Sequence, residues 1–353
     1  MLFGSRSRSL IGLDITTSSI KLVELSQSGK TFRAESYAAE PTPPNSINEK
    51  TIVDAPAVGE AIRRAVKRAG TSSKDAAIAI GGDAAITKII QMPRRFTARE
   101  LEGQVEIQAD QYIPFPMEEV SFDFEVMGPS ATDPEMLDIL LVATRTENVD
   151  QRKAAVEAAG LVARVVDVEP FALENACHLL VHQMPDGGMQ HQIAIVDFGA
   201  SNTTFSVLQD MRVIYTRDFS FGGQQLTEEI MRTYGLSLED AGRAKKEGGL
   251  PGNYQPEVLD PFMDDMTQQV SRSLQFFLAS GGGREQPDQI LVCGGCANIP
   301  GVADVISSKV GIPTEIGDPL GQMKISSRAK SQGIRKDSTA LLTACGLALR
   351  SFD

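Results

Sequence analysis

Two stretches half a chain apart carry the same pattern. IGLDITTSSIKLV, residues 11–23, and IVDFGASNTTFSV, residues 195–207, each lead an apolar strand into an aspartate and one apolar residue, then a turn of small and hydroxyl residues, then a second strand. Aligned, Asp14 falls on Asp197, Thr16 on Gly199 and Lys21 on Thr204, at a separation of about half the 353 residues. Such a repeat points to two lobes, each opening on a β-hairpin, with the hairpins facing each other across a cleft.

Turns of this kind serve anion binding. Small residues let backbone N–H groups approach anionic oxygens closely, and hydroxyls add donors. The candidates for phosphate contact are Asp14, Thr16, Thr17, Ser18, Ser19 and Lys21 in the first hairpin, and Asp197, Gly199, Ala200, Ser201, Asn202 and Thr203 in the second. Lys21 supplies positive charge or, being on a strand, faces solvent. Asp14 and Asp197 end their strands at the cleft, where they can hold Mg²⁺ through water; magnesium keeps several waters and takes one or two carboxylates. One hairpin alone is no more than a surface turn. Two in register point to one shared ligand.

Three further pieces belong with them. LVCGGCANIPGV, residues 291–302, puts Gly294 and Gly295 between a strand and a helix start, where a flat base or an α-phosphate can lie against the backbone, with Asn298 beside them. FGGQQLTEEIMRTYG is a helix led by Gly222 and Gly223, and SLEDAGRAKKEGG carries Lys245. Glu169, in DVEP at a strand end, is placed to orient a water or is simply a first-turn helix carboxylate stabilised by the dipole.

The chain alternates strands and helices throughout, which marks an α/β protein. The first lobe's core is assigned to residues 10–84 with 161–190 and 338–353, an inserted unit to 85–160, the second lobe's core to 191–220 and 285–337, and a helical subdomain to 221–284. In the long helix of that subdomain, Met263, Met266, Phe276 and Phe277 read as core. A formal net charge of −12 argues against a general nucleic-acid binder, which needs a basic face. No apolar run approaches the roughly 20 residues that span a bilayer, and MLFGSRSRSL lacks the apolar core of a signal peptide. A cytoplasmic protein is expected, held at a membrane only through a partner. Cys177, Cys293, Cys296 and Cys345 are then free thiols, the C-x-x-C pair being packing residues rather than a metal or redox site.

In the order GLDITTSSIK, DVEPFALENA, VDFGASNTTFSV, VCGGCANIPG, TALLTACGLAL, the chain resembles the phosphate, connecting and adenosine motifs of the actin, Hsp70 and sugar-kinase superfamily over essentially its whole length. Within it, GLDITTSSIKLVELSQSG, the proline-rich loop at residues 41–45, the insertion from Ala85 and QYIPFPMEEVSFDFEV are similar to the PilM family of type IV pilus assembly proteins, relatives of FtsA. The resemblance implies an actin-like, two-lobed fold with an FtsA-type inserted subdomain. It also implies a cytoplasmic adaptor of the inner-membrane pilus machine behind twitching motility, binding ATP or ADP with Mg²⁺ and turning ATP over weakly or not at all. The expected partner is the N-terminal cytoplasmic peptide of PilN, in a groove between the first-lobe core and the insertion that Ile86, Ile89 and Val126 would line. Motor ATPases and a homodimer are compatible further partners. Two departures stand out: Thr16 where many relatives carry Gly, and Gly242 where many carry Glu, while Lys245 matches a lysine that relatives keep near the ribose.

Two alternatives differ in class. A small-molecule kinase needs a base near the γ-phosphate, and only Asp83 in GGD, residues 81–83, is free for that, where it more simply turns the chain. An FtsA-like filament on the membrane would end in a basic amphipathic helix, whereas CGLALRSFD is apolar and reads as core.

Overall fold

The computed structural model describes residues 9–48, 50–130, 132–281 and 286–353. The first half runs β1 (Ile11–Ile15), β2 (Ser19–Ser28), β3 (Thr31–Pro41), a small hairpin β4 (Ile47–Asn48) and β5 (Thr51–Ile52), α1 (Ala55–Ala69), β6 (Asp75–Ile80), β7 (Ala85–Pro93), α2 (Ala98–Ala109), β8 (Val120–Pro129), β9 (Met136–Arg145), α3 (Thr146–Ala158), β10 (Val162–Val168) and α4 (Glu169–Cys177). The second runs β11 (Gln192–Phe198), β12 (Thr203–Gln209), β13 (Arg212–Phe219), α5 (Gly223–Tyr234), α6 (Leu238–Glu247), α7 (Asp260–Ala279), β14 (Gln289–Cys293), α8 (Val302–Val310), β15 (Thr314–Ile316), β16 (Lys324–Ile325), α9 (Ser327–Ser331) and α10 (Leu342–Leu349).

The two halves share one sheet plan. In the first, strand order is β10-β6-β1-β2-β3-β16; in the second it is β15-β14-β11-β12-β13. Each begins with an antiparallel three-strand meander, and each then adds two parallel strands beside its first strand. Central strands such as β1, β6 and β14 are buried at every position, as expected of strands covered on both faces.

Helix α1 shows how the local sequence builds the first lobe. Asp54 caps it by accepting from the Ala57 N–H, and Gly70 closes it in the left-handed conformation with its N–H on the Val66 carbonyl. Val58, Ile62, Ala65 and Ala69 fall on one stripe and pack on the sheet with Ile11, Leu22 and Ile78. On the other face, α10 lies on β1 so closely that a Cβ at Gly12 would sit 2.0 Å from the Ala344 carbonyl oxygen. One at Gly346 would sit 1.7 Å from the Ala172 carbonyl oxygen of α4. The apolar end of the chain is therefore interior packing.

The insertion is a three-stranded antiparallel sheet, β7-β9-β8, with α2 over one face. Two boundaries differ from the sequence expectation. Helix α3 was assigned to the insertion, but Ala155 and Val156 bury against α1 and β6 in the first-lobe core, and Gly59 of α1 abuts the backbone of Ala155 and Ala158. Residues 320–337 were assigned to the second lobe. Instead, β16 pairs with β3, while Leu320, Met323, Ala329 and Ile334 pack on Val23, Ala34 and Tyr37 of the first lobe. In the helical subdomain, Met263, Met266 and Phe277 are core, but Phe276 faces out, with the Arg217 guanidinium 3.7 Å above its ring.

Candidate functional site

The two turns are superimposable in their bonding. Asp14 pairs with Lys21 and Ile15 with Ile20 in one hairpin; Asp197 pairs with Thr204 and Phe198 with Thr203 in the other. The Thr16 N–H donates to the Ser19 carbonyl at 3.1 Å, and the Gly199 N–H to the Asn202 carbonyl at 3.0 Å. The hairpins meet at their tips, where the Thr17 and Ser201 hydroxyls hydrogen-bond at 2.9 Å across the lobes. The N–H groups of Thr17, Ser18, Ala200, Ser201 and Asn202 make no hydrogen bond among the described residues, and these two turns thus present unspent donors on either side of the interface. Thr16 ties its own turn: its hydroxyl donates to the Ser19 carbonyl at 2.9 Å.

The small residues of the second turn have an internal cause as well. The Gly223 N–H donates to the Gly199 carbonyl at 3.0 Å and the Gln224 N–H to the Ala200 carbonyl at 2.8 Å, seating the start of α5 on the turn. A Cβ at Gly222 would lie 2.5 Å from the Ala200 carbonyl oxygen. Gly294, in the left-handed region at φ 86°, faces the chain itself: a Cβ there would lie 2.3 Å from the Phe198 carbonyl oxygen and 2.5 Å from Asp197 Oδ1. Gly295 meets nothing within 4 Å and is open. Lys245 is turned inward, Nζ 2.7 Å from the Gly223 carbonyl and 2.6 Å from Thr227 Oγ1, and burial lowers its pKa. Asn298 Nδ2 reaches the Lys336 carbonyl at 3.5 Å, and a Cβ at Gly242 would enter open space.

Charge in the cleft is organised around two lysines. Lys21 Nζ lies 2.8 Å from Asp14. Burial pulls its pKa down, but Asp14, with Asp197 and Asp337 beyond, outweighs that and holds it above its usual value. Asp197 rises from 3.8 to about 6, chiefly through burial, with Lys21 opposing. Lys50, on the turn between β4 and β5, places Nζ 2.8 Å from Glu169 and 2.5 Å from Asp218 of the second lobe, with Asp83 at 3.7 Å. Its pKa is also raised: burial lowers it, and Glu169 and Asp218 more than compensate. Asp218 in turn accepts from Thr204 Oγ1 at 2.6 Å, tying Lys50 to the second hairpin. Glu169 thus spends one carboxylate oxygen, Oε2, on Lys50. Neither Lys50 nor Asp218 stood out in the sequence. Their one signal is position, Asp218 just before the Gly222-Gly223 pair and Lys50 on a short polar turn, and only the fold joins them.

The Asp197 shift gives a pH prediction. Between about pH 4 and 6 the folded chain holds more proton at this carboxyl than the unfolded chain, so stability falls as pH rises through that window. Urea midpoints measured from pH 4 to 7 should show this component in the wild type and lack it in Asp197→Asn. Equal pH dependence in the two proteins would refute the assignment.

The groove residues do not share a face. Ile86 is opposite Ala143 and Val126 opposite Ile139, on the side covered by α2, while Ile89 is opposite Leu140 on the uncovered side. Both outer strands, β7 and β8, leave one edge unpaired within this sheet. All four cysteines are buried and free, and Cys293 and Cys296 point into different packing clusters. Burial raises the Cys296 thiol to about 11, an inert value for a C-x-x-C thiol. Among the described residues no helix is long and apolar enough to cross a membrane, and no three metal-ligating side chains gather at one point.

The sequence profile of the family described as type IV pilus assembly protein PilM matches residues 12–352. This chain belongs to the PilM family. A solved PilM–PilN type IV pilus biogenesis complex contains a chain 28% identical to this one, with a TM-score of 0.78, covering 98% of this chain and 99% of that one. The ethanolamine utilization protein EutJ of Carboxydothermus hydrogenoformans shares the fold at 17% identity and a TM-score of 0.55, over 96% of this chain and 89% of its own. Cell division protein FtsA of Enterococcus hirae is 24% identical over 87% of this chain and 79% of its own length. The actin-like, two-lobed fold expected from the motifs is the fold of this PilM-family chain.

Proposed function

We propose that this PilM-family chain is an ATP-binding adaptor of the type IV pilus inner-membrane assembly complex. In this proposal the nucleotide lies in the cleft between the two hairpins, and the N-terminal cytoplasmic peptide of a PilN-type partner lies between the first-lobe core and the insertion. The observation that carries the nucleotide part is the pair of matched turns, one per lobe, meeting at Thr17 and Ser201 with unspent N–H donors on both. The donor set fits a triphosphate with Mg²⁺: backbone N–H groups would hold phosphate oxygens, and Asp14 and Asp197 would hold a largely hydrated hard cation, which would supply charge neutralisation there. Lys21 holds Asp14 in place through their 2.8 Å contact, and Lys50 sets the charge facing the terminal phosphate. Gly295 leaves room for the base, and Lys245 supports the Gly223 turn below it. In this reading turnover is slow or absent and nucleotide acts by favouring the closed cleft, its effect limited to its differential affinity for that state.

The peptide part is supported by the similar chain in the PilM–PilN complex and by the free strand edges of the insertion, which suit an added extended segment. Titration calorimetry with Mg-ATP, and anisotropy with a labelled PilN N-terminal peptide, test the two parts separately. Absence of heat at millimolar Mg-ATP would end the first; absence of binding at high micromolar peptide would end the second. Thr17→Val removes the cross-lobe hydroxyl pair and should weaken Mg-ATP by about 3- to 10-fold, the range of one net hydrogen bond. An unchanged affinity would mean that the tips do not meet around the ligand.

A further inference from the structure

A cavity of about 160 Å³ opens in the first lobe, between α3 and the segment that leads into the insertion, beside the Lys50 cluster and lined by no residue of either hairpin. That is well above the ~10–15 Å³ that one water needs. Lys50, Asp83, Asn148, Gln151 and Arg152 are among its lining residues. Arg152, on α3, is only 5% exposed. Among the described residues its guanidinium makes a single hydrogen bond, Nη2 to the Lys50 carbonyl at 2.9 Å, and no carboxylate lies within ion-pair distance. Arginine stays charged and carries five N–H donors, and a buried charge without a contact partner is costly. Glu169, Asp14 and Asp83 act on it from beyond contact distance and leave its remaining N–H donors without a direct partner. Glu169, Asp218 and the largely exposed Asp83 all contact Lys50, at 2.8, 2.5 and 3.7 Å, and none of them reaches the Arg152 guanidinium. Asn148 and Gln151 add amide donors from the same helix, although Asn148 already donates to Thr144 and Gln151 to Glu147.

We propose that this cavity receives one carboxylate side chain of a docked peptide, held by the Arg152 fork. The proposal rests on the reading that a peptide docks between the first lobe and the insertion, and it names the chemistry by which that peptide is recognised. Because Arg152 also holds the Lys50 backbone, filling the cavity would be felt at the ion pairs that join the lobes.

The test uses the full chain with ¹⁵N-labelled arginine, the Arg152 Nε–Hε resonance being assigned by its loss in Arg152→Met. Sodium acetate, titrated at constant ionic strength against sodium chloride, should shift that resonance saturably, while acetamide should not. Arg152→Lys, which keeps the charge but loses the fork, should weaken acetate binding by roughly tenfold, the worth of a bidentate over a point contact. Adding the PilN N-terminal peptide should displace acetate, and a peptide that displaces it through a carboxylate side chain should lose affinity by a comparable factor when that side chain is made an amide; displacement by a peptide with no carboxylate side chain overturns the assignment. No saturable shift, or an equal response to acetamide, overturns the carboxylate site. A peptide that binds without displacing acetate overturns the peptide as its source. A peptide that does not bind at all, with acetate still bound, overturns the docking reading rather than the anion chemistry of Arg152.

Discussion

Gly294→Ala should lower stability by about 3 kcal/mol, combining the cost of a non-glycine residue at left-handed φ with that of overpacking. It should also weaken Mg-ATP by more than about tenfold, the displacement of Asp197 costing at least one charge-assisted contact. The reason is local and geometric. At φ 86° the residue sits against the end of β11, and a new methyl would overlap both the Phe198 carbonyl oxygen, at 2.3 Å, and Asp197 Oδ1, at 2.5 Å. Neither can yield without moving the candidate metal residue. Gly295→Ala is the control, because nothing lies within 4 Å of its Cβ position. That variant should melt like the wild type and lose nucleotide affinity only by crowding the base. Thermal melts and calorimetry on both variants check this. Equal behaviour of the two would show that Gly294 does not position Asp197.

Lys50→Met should have the second large effect. The lysine joins Glu169 of the first lobe to Asp218 of the second, with Asp83 near, and its side chain is 17% exposed. Its loss leaves three carboxylates beside the cleft without the cation that contacts them all, Arg152 acting on them only at longer range. The expected destabilisation is about 2 kcal/mol, below the full cost of breaking a buried pair because water still reaches the site. Mg-ATP affinity should fall at least about tenfold, since the uncompensated carboxylates repel the phosphates, and Lys50→Arg should restore most of both. If Lys50 instead occupied the phosphate position and competed with ligand, Lys50→Met would bind Mg-ATP more tightly; that result would remove the lysine from the proposed site.

How much of this was legible in the sequence varies by element, for physical reasons. The hairpins were readable because a turn that must be small twice, at matching offsets from an aspartate, is improbable by chance, and the registers Asp14 with Lys21 and Asp197 with Thr204 follow from the same alignment. The apolar terminal helix was readable as core because it lacks a polar face; the close contacts at Gly12 and Gly346 bear that out. The allegiance of α3 was not. Its contact with α1 is made through small alanines opposite Gly59, which leave little periodic signal. Residues 320–337 were misplaced because β16 is two residues long and its partner β3 lies some 290 positions earlier. Ile86 and Ile89 could have been separated from sequence alone: three positions apart on one strand, they point to opposite faces. Lys50 and Asp218 could not, because an ion pair between lobes depends on the packing of both.

In the proposed site the turns at residues 16–19 and 199–203 grip one triphosphate and its metal from both sides. A crystal structure of the chain with Mg²⁺ and a non-hydrolysable ATP analogue tests it most directly. Phosphate oxygens should lie within hydrogen-bond distance of N–H groups from both turns, with Asp14 and Asp197 reaching the metal through water. Nucleotide bound elsewhere, or held by one turn while the other keeps its distance, would contradict it.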